Sequence, residues 1–220
     1  MPKKDIEISK HFEDRHVAVS QQGVEIHHKG KPITVEMAAL GLVYLVIDCS
    51  GSMQEHNKLD QAIEGAMNFA KEARSKGYSV GLIQFSDNAT HLCEPVRDIA
   101  VLEKHLRNLD LGGYTHMAEA IALADEKLAD RKGNRVIVIA TDGMPNGPGE
   151  PGASLNRGKS AKENGIDIII IGTDDADRDF LKQLASRAEL GVKVSREQLG
   201  QGIASTAKIL PQLGEGRSEK

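Results

Sequence analysis

The stretch VYLVIDCSGSMQEHNKLDQA, residues 43–62, joins a continuous apolar run to three oxygen-bearing side chains at alternate positions, Asp48, Ser50 and Ser52. An uninterrupted run of Val, Leu and Ile is typical of a strand buried on both faces of a sheet. A helical pattern of period 3.6 follows directly over Lys58–Ser75, with Gly77 as a stop signal. The segment therefore predicts a buried strand, a polar loop and a helix.

The same alternation of buried strand and amphipathic helix continues along the chain. Strands are predicted at Leu42–Ile47, Val80–Phe85, Val136–Ala140 and Ile166–Ile171, with weaker candidates at Ala89–Cys93, as an edge strand, and Val192–Val194. Helices are predicted at Lys58–Ser75, His116–Arg131, Ser154–Asn164, Asp177–Arg187 and Ser195–Leu210. Strands that alternate with helices imply right-handed crossovers and a mainly parallel sheet covered on both faces. The predicted fold is a doubly wound, Rossmann-like α/β domain.

Composition limits the class of protein. Hydrophobic residues make up 40% of the 220 residues and charged residues 27%, which is the balance of a globular domain with a core. A net charge of −4 and an aromatic content of 3% without Trp give no basic or base-stacking surface for nucleic acid. No apolar run reaches the length of a membrane span, the N-terminus lacks the apolar core of a signal peptide, and the two cysteines suit a reducing compartment. A cytoplasmic protein is expected.

The ends of the chain differ from its middle. Residues 1–14 are charged, and residues 211–220 begin with a proline after the last apolar residues of the final helical pattern. Both segments are therefore expected to be flexible. Residues 15–40 are expected to form a small extension, with two alternating stretches around Gln22-Gly23 that suit a hairpin. The α/β domain itself is expected over residues 41–210.

Five oxygen ligands are expected at one edge of the predicted sheet. Asp48 ends the first core strand and Asp142 follows the Val136–Ala140 strand, and the carboxyl ends of such strands flank the site of an open α/β sheet. Thr115 comes just before a helix, and the preceding glycine pair allows its loop to approach closely. Carboxylate and hydroxyl oxygens without thiolate or imidazole suit Mg²⁺ or Mn²⁺ rather than Zn²⁺ or copper. The predicted ligands are Asp48, Ser50, Ser52, Thr115 and Asp142.

Each of these segments taken singly also fits a simpler role. Asp48, Ser50 and Ser52 are residue types that cap turns and helices, and Thr115 stands where a helix N-cap is expected. Asp142-Gly143 is a common turn sequence. The metal site is favoured because one shared location explains all three segments.

Together these segments resemble the metal-ion-dependent adhesion site of von Willebrand factor type A domains. The resemblance is carried by Asp48-Cys49-Ser50-Gly51-Ser52, Gly112-Gly113-Tyr114-Thr115 and Thr141-Asp142-Gly143, in that order, and extends from about Val43 to Leu210. It implies a six-stranded sheet in the order 3-2-1-4-5-6 with the third strand antiparallel. It also implies that the two Asp residues bind the ion directly or through water, and that an acidic residue of a protein partner completes the coordination.

The preferred interpretation is an adaptor that binds a protein through the ion, as the resemblance implies. It is expected not to be an enzyme, because no His or Lys near these motifs supplies an obvious base. Two alternatives stay open. One is a phosphohydrolase of the haloacid-dehalogenase type with Asp48 as nucleophile, although Ser50 stands where such enzymes usually carry a second Asp. The other, which rests on the resemblance alone, is a regulatory subunit of an AAA-type ATPase, a chelatase or a stress-resistance system.

Two further segments are open to functional interpretation. The acidic string Asp174–Asp179 lacks the ligand spacing of a calcium loop and is expected to favour the start of a helix through the helix dipole. Residues 144–152, rich in Pro and Gly, are expected to be an irregular loop that sets partner specificity at the rim of the site.

Overall fold

The computed structural model describes residues 15–20, 23–28 and 31–35 as backbone strands, and residues 41–213 in full. The chain divides into two compact units, Met1–Ala39 and Leu40–Lys220. The flexible segment expected at residues 1–14 lies outside the described residues, as do residues 214–220 of the tail expected at 211–220.

The first unit contains a three-stranded antiparallel sheet. Its strands are β1 (Arg15–Ser20), β2 (Gly23–His28) and β3 (Lys31–Val35), in the order β1-β2-β3. The pair of β1 and β2 corresponds to the two alternating stretches of the sequence, and β3 adds a third strand beside β2.

The second unit is built on a six-stranded sheet. Its strands are β4 (Gly41–Asp48), β5 (Tyr78–Phe85), β6 (Ala89–Val96), β7 (Asn134–Thr141), β8 (Asp167–Gly172) and β9 (Gly191–Lys193). Their order is β6-β5-β4-β7-β8-β9, and every pair is parallel except β5 with β6. Counted from β4 this is 3-2-1-4-5-6 with the third strand antiparallel, which confirms the expected fold. The order reverses at β4, which pairs with β5 on one side and β7 on the other.

The central strands have continuously apolar sequences because both faces of the sheet are covered. Val43 to Ile47 of β4 and Ile137 to Ile139 of β7 are wholly buried. The outer strand β6 is instead mostly half-exposed, and it carries Pro95 and two register shifts against β5. An edge position tolerates proline because one side of the strand donates to no neighbour. The prediction of an edge strand is therefore correct.

Helices flank the sheet. They are α1 (Lys58–Ser75), α2 (Ile99–Leu106), α3 (Met117–Ala129), α4 (Gly152–Glu163), α5 (Arg178–Leu184) and α6 (Leu199–Thr206). Helix α1 packs against α6, and α3 packs against α4. Among the described residues, no helix is both long enough and apolar enough to span a bilayer.

Three of the helical expectations need correction. Helix α2 was not predicted, although Asp98 caps it by accepting a hydrogen bond from Ala100 N–H at 3.0 Å. Helix α5 ends at Leu184, short of the predicted Arg187, because Ser186 hydrogen-bonds Ile168 at the start of β8. The predicted helix Ser195–Leu210 is only α6 with a short 3-10 segment at each end.

The contact between α1 and α6 generates a prediction. Replacing glycine by alanine in a helix interior ordinarily stabilises by about 1 kcal/mol. A Cβ atom on Gly65 would, however, lie 2.5 Å from the carbonyl oxygen of Gly200 in α6. Gly65→Ala is therefore expected to destabilise the domain by about 1–3 kcal/mol in urea unfolding.

The matched control is Gly152→Ala at the first residue of α4, where an added Cβ meets nothing within 4 Å. This variant is expected to unfold like the wild type or at slightly higher urea. A stabilised Gly65→Ala variant would contradict the close packing of the two helices.

Candidate metal centre

The two predicted carboxylates lie at the carboxyl ends of neighbouring strands. Asp48 is the last residue of β4, and Asp142 directly follows Thr141, the last residue of β7. The two strands are paired up to Ile47 and Ala140, so Asp48 comes level with Thr141. The Thr141 hydroxyl donates a 2.6 Å hydrogen bond to Asp48 Oδ2. The reversal of strand order thus brings both carboxylates to one edge of the sheet.

The loop after β4 folds round the Asp48 carboxylate. Asp48 Oδ1 accepts a 2.8 Å hydrogen bond from the backbone N–H of Ser50. The Ser50 and Ser52 hydroxyl oxygens lie 3.3 Å apart, and Ser52 Oγ donates to Asp142 Oδ1 at 2.9 Å. The alternate spacing of the three side chains therefore directs both hydroxyls toward the second carboxylate. Four of the five predicted residues are linked in this way.

Thr115 is buried on a separate loop and is not hydrogen-bonded to the other four. Its N–H donates to Asn146 Oδ1 at 2.9 Å, and its carbonyl accepts from Asn146 N–H at 3.3 Å. Within the described part of the chain its hydroxyl has no hydrogen-bond partner. A 2.8 Å bond from Gly112 N–H to the Cys49 carbonyl holds this loop against the Asp48 loop. The Thr115 hydroxyl is therefore free to bind a ligand.

Glycine is needed at position 112 for this approach. A Cβ there would lie 2.3 Å from Ser86 Oγ in the loop after β5. The next residue of that loop, Asp87, accepts hydrogen bonds from the N–H groups of Gly113 and Tyr114, both at 3.0 Å. These bonds lower the pKa of Asp87. Asp87 and Asn146 thus position the Thr115 loop. Both lie in loops that follow core strands, which is the sequence feature that could have pointed to them.

A buried lysine also reaches the site. Lys58, the first residue of α1, is 2% exposed, and its Nζ lies 2.5 Å from Asp142 Oδ2 and 2.8 Å from Asp174 Oδ2. Burial alone lowers the pKa of Lys58, but the two carboxylates outweigh burial and leave its pKa raised. The sequence pattern does not indicate this role, because a lysine at the start of a helical pattern is ordinarily solvated.

Burial of Asp48 makes its ionised form costly. The side chain is wholly buried, and burial raises its pKa from 3.8 to about 6. Hydrogen bonds from Thr141 and Ser50 oppose this shift, and the charge of Asp142 adds to it. A buried carboxylate that is ionised at neutral pH favours a bound cation as a counter-charge.

The donor set fits a hard divalent ion. Oδ2 of Asp142 is buried, and the Lys58 ammonium makes a close ion pair with it. Cys49 supplies no soft ligand, because its thiol is buried, points to the Ile47 carbonyl and has a pKa raised to about 12 by burial. Among the described residues no three His, Cys, Asp or Glu side chains form a metal-binding group. Any ion here must be held by two carboxylates and neutral hydroxyls, the pattern suited to Mg²⁺ or Mn²⁺.

Two other sequence expectations concern the surroundings of the site. Within the acidic string, Asp177 caps α5 as expected, accepting from the N–H groups of Asp179 and Phe180 at 3.0 and 2.8 Å. Asp174 has a different role, because it binds Lys58 and Arg196. The loop 144–152 is held by Glu150, whose carboxylate accepts hydrogen bonds from Ala118 N–H and from Ser154. The loop is irregular as expected, but it is anchored to α3 and α4.

The raised pKa of Asp48 generates a prediction about stability and pH. The folded-state pKa of about 6 exceeds the ordinary 3.8, so the folded protein loses stability as pH rises from about 4 to 6. In the presence of a chelator, Asp48→Asn does not suffer this loss. The stability of Asp48→Asn relative to wild type is expected to increase by on the order of 2–3 kcal/mol between pH 4 and pH 7.5.

Thermal or urea unfolding across this pH range measures the difference in stability. Asp98→Asn, at the exposed N-cap of α2, is the control for an exposed carboxylate and is expected to show a smaller change. A stability difference between Asp48→Asn and wild type that does not depend on pH would show that the ionised carboxylate is not costly in the fold.

Comparison with solved structures finds the same fold in a pilus tip protein and in a mussel byssus protein. The von Willebrand factor domain of the type V pili tip protein Mfa5 from Porphyromonas gingivalis superposes with a TM-score of 0.71 at 18% identity, covering 84% of this chain and all of that one. Proximal thread matrix protein 1 from the mussel byssus, solved with a zinc-occupied MIDAS motif, gives a TM-score of 0.67 at 17% identity. It covers 81% of this chain and 49% of that one. At these identities the likeness concerns the fold.

Comparison of sequences adds a relative of another kind and decides the family. The 67 kDa subunit of magnesium chelatase from Heliobacterium mobile is 26% identical over 218 residues, which are 91% of this chain and 32% of the subunit. The chain spans less than half the length of the first curated relatives that it matches. The family model for the von Willebrand factor type A domain matches residues 43–201. The chain therefore belongs to the von Willebrand factor type A domain family.

Proposed function

We propose that this domain is a metal-dependent protein-binding module. Asp48, Ser50, Ser52, Thr115 and Asp142 hold one Mg²⁺ or Mn²⁺, and a Glu or Asp of a protein partner completes its coordination. The observation that carries the proposal is the convergence of two buried carboxylates and two hydroxyls in one hydrogen-bonded group beside the unbonded Thr115 hydroxyl. Membership of a family whose relatives include pilus proteins supports a role in protein interaction.

The mixture of carboxylates and hydroxyls explains why the ion would attract an outside anion. Ser50, Ser52 and Thr115 offer oxygen without charge, so only Asp48 and Asp142 offset the charge of a divalent ion. If one of the two carboxylates binds through water, the ion remains electrophilic toward an external carboxylate. Ser52 is exposed, which leaves the outer side of the site accessible.

The surface beside the site suits a partner with an apolar residue next to its carboxylate. Tyr114 and Leu111 are 58% and 42% exposed and lie on the same loop as Thr115. The Tyr114 ring stacks on His116 with centroids 5.6 Å apart, which presents a flat apolar face to solvent. Aromatic side chains of this kind frequently anchor protein interfaces.

The loop 144–152 is the second surface that we assign to partner choice. Glu150 is fully engaged by α3 and α4, so it does not offer its carboxylate to the ion or to the partner. Asn146 and Pro148 are exposed on the outer side of the loop. Because Asn146 also binds the Thr115 backbone, a partner that contacts this loop would affect the position of Thr115 at the proposed metal site.

A regulatory role in an AAA-type ATPase or chelatase is a second candidate. The observation that favours it is the match to the magnesium chelatase subunit over 91% of this chain. In that case the partner carboxylate would belong to another subunit of the machine. A cytoplasmic location remains part of this proposal, supported by Cys49 and Cys93, which are both free and buried.

The phosphohydrolase alternative has less support. A nucleophilic Asp needs one exposed oxygen in line with the phosphorus atom. Asp48 is wholly buried, and its two oxygens accept hydrogen bonds from Ser50 and Thr141. We therefore propose that the domain is not an enzyme.

The metal proposal is tested by calorimetric titration with Mg²⁺ and Mn²⁺. One ion per chain is expected, and Asp48→Ala and Asp142→Ala should each abolish its binding because each removes one of the two charged ligands. Asp60→Ala, on the exposed side of α1, is the control and should bind like wild type. Undiminished binding in both site variants would rule out the assignment.

The role of Thr115 is tested against a partner isolated by affinity pull-down carried out with and without Mg²⁺. Thr115→Ala is expected to weaken partner binding by about 1–3 kcal/mol at saturating Mg²⁺, and to weaken metal binding less, because only one neutral ligand is lost. Thr90→Ala on the edge strand β6 is the control, since Thr90 is exposed and is not one of the proposed ligands. Partner binding that is indifferent to EDTA would place recognition elsewhere on the domain.

A further inference from the structure

Lys58 joins the candidate metal centre to a carboxylate outside it. Its ammonium is buried between Asp142, a proposed ligand, and Asp174, which lies in the loop after β8. The contact with Asp142 is made to Oδ2, whereas Ser52 donates to the other oxygen, Oδ1. A cation of the protein itself therefore occupies one oxygen of a carboxylate that the divalent ion requires.

Asp174 is held firmly enough to keep the lysine when Asp142 is engaged elsewhere. Arg196 Nε donates to both of its oxygens, at 2.9 and 3.1 Å, and Lys58 Nζ donates to Oδ2 at 2.8 Å. The neighbouring Asp175 N–H donates to the Asp142 carbonyl at 3.0 Å, which fixes the two loops together. Transfer of the lysine to Asp174 alone would thus leave no buried ammonium unpaired, which is the costly outcome.

The backbone on both sides of this ion pair is constrained. Three non-glycine residues in the described part of the chain have positive φ, namely His56 at 55°, Asn57 at 57° and Asp174 at 45°. The first two directly precede Lys58, and the third is its partner. Such conformations persist where surrounding contacts hold them, and they concentrate at functional sites. The positions of Lys58 and Asp174 are therefore set by the fold rather than by side-chain preference.

We propose that Lys58 is an internal counter-cation that sets the metal affinity of the site, an inference that rests on the proposed function. It neutralises Asp142 when no ion is bound, and pairs with Asp174 alone when a divalent ion takes Asp142. The lysine and the ion compete for the Asp142 carboxylate. The strength of the pair between Lys58 and Asp174 sets how readily Lys58 leaves Asp142. Arg196, just before α6, competes in turn with Lys58 for Asp174.

The test is calorimetric titration of Mn²⁺ and Mg²⁺ into folded variants at position 58. Lys58→Met keeps the length of the side chain and removes its charge, and it is expected to bind the ion about tenfold more tightly or better. Lys58→Arg keeps the charge and should bind within about threefold of wild type. Lys71→Met, on an exposed part of the same helix, is the matched control and should not change the affinity.

A double-mutant cycle with Asp174→Asn separates competition from the general effect of charge. Asn tolerates the positive φ of this position, so the backbone is preserved. Competition predicts that Asp174→Asn weakens metal binding several-fold in the wild type, because Lys58 is then confined to Asp142. In the Lys58→Met background the same substitution should have a much smaller effect. A simple loss of nearby negative charge would weaken binding equally in both backgrounds.

The outcomes distinguish this inference from the function on which it rests. Metal binding by wild type with unchanged or weaker affinity in folded Lys58→Met, or equal effects of Asp174→Asn in both backgrounds, would overturn the role of Lys58 alone. Absence of metal binding in wild type would overturn the proposed function as well. If Lys58→Met does not fold, Asp174→Asn in the wild-type background carries the test, and unchanged affinity there overturns the inference.

Discussion

The burial of the Asp48 carboxylate at the end of the central strand is the constraint on which the site depends. Its two oxygens are satisfied from opposite directions, by the Ser50 N–H in its own loop and by the Thr141 hydroxyl at the end of β7. These bonds bind the loop to the neighbouring strand and place Asp142 beside it. They do not remove the cost of the charge, since the pKa of Asp48 remains raised to about 6. A buried charge of this kind supports our proposal that the site binds a cation.

The two loops that carry the hydroxyl ligands are held in different ways. The Asp48 loop is fixed by hydrogen bonds to the strands, and the Ser52 hydroxyl links this loop to Asp142. The Thr115 loop is attached through its backbone, by Asn146 and Asp87, while its hydroxyl stays free. In the proposed function, a neutral ligand on an independently held loop could adjust to the ion and its partner without disturbing the carboxylates. This arrangement suits recognition better than chemistry.

The charged side chains beside the site form a chain of ion pairs. Asp142, Lys58, Asp174 and Arg196 alternate in sign from the edge of the sheet to the start of α6. Lys58 is the first residue of α1, Arg196 lies just before α6, and α1 packs against α6. A change of charge at Asp142 would therefore be transmitted by contacts that already exist. The glycine contact of Gly65 with Gly200 keeps these helices close enough for that.

The sequence by itself determined the doubly wound sheet, its strands and the positions of the five candidate ligands. Buried strands and amphipathic helices have local periods, and Asp48, Ser50 and Ser52 lie within one short loop. Thr115 and Asp142 were predicted instead from their places before a helix and after a strand. Only the tertiary structure revealed that Lys58 meets Asp174, 116 residues away, and that Asn146 and Asp87 hold the Thr115 loop. It also showed that α5 ends early because Ser186 binds β8. These contacts depend on how distant loops meet above the sheet, and no local period of the sequence records that meeting.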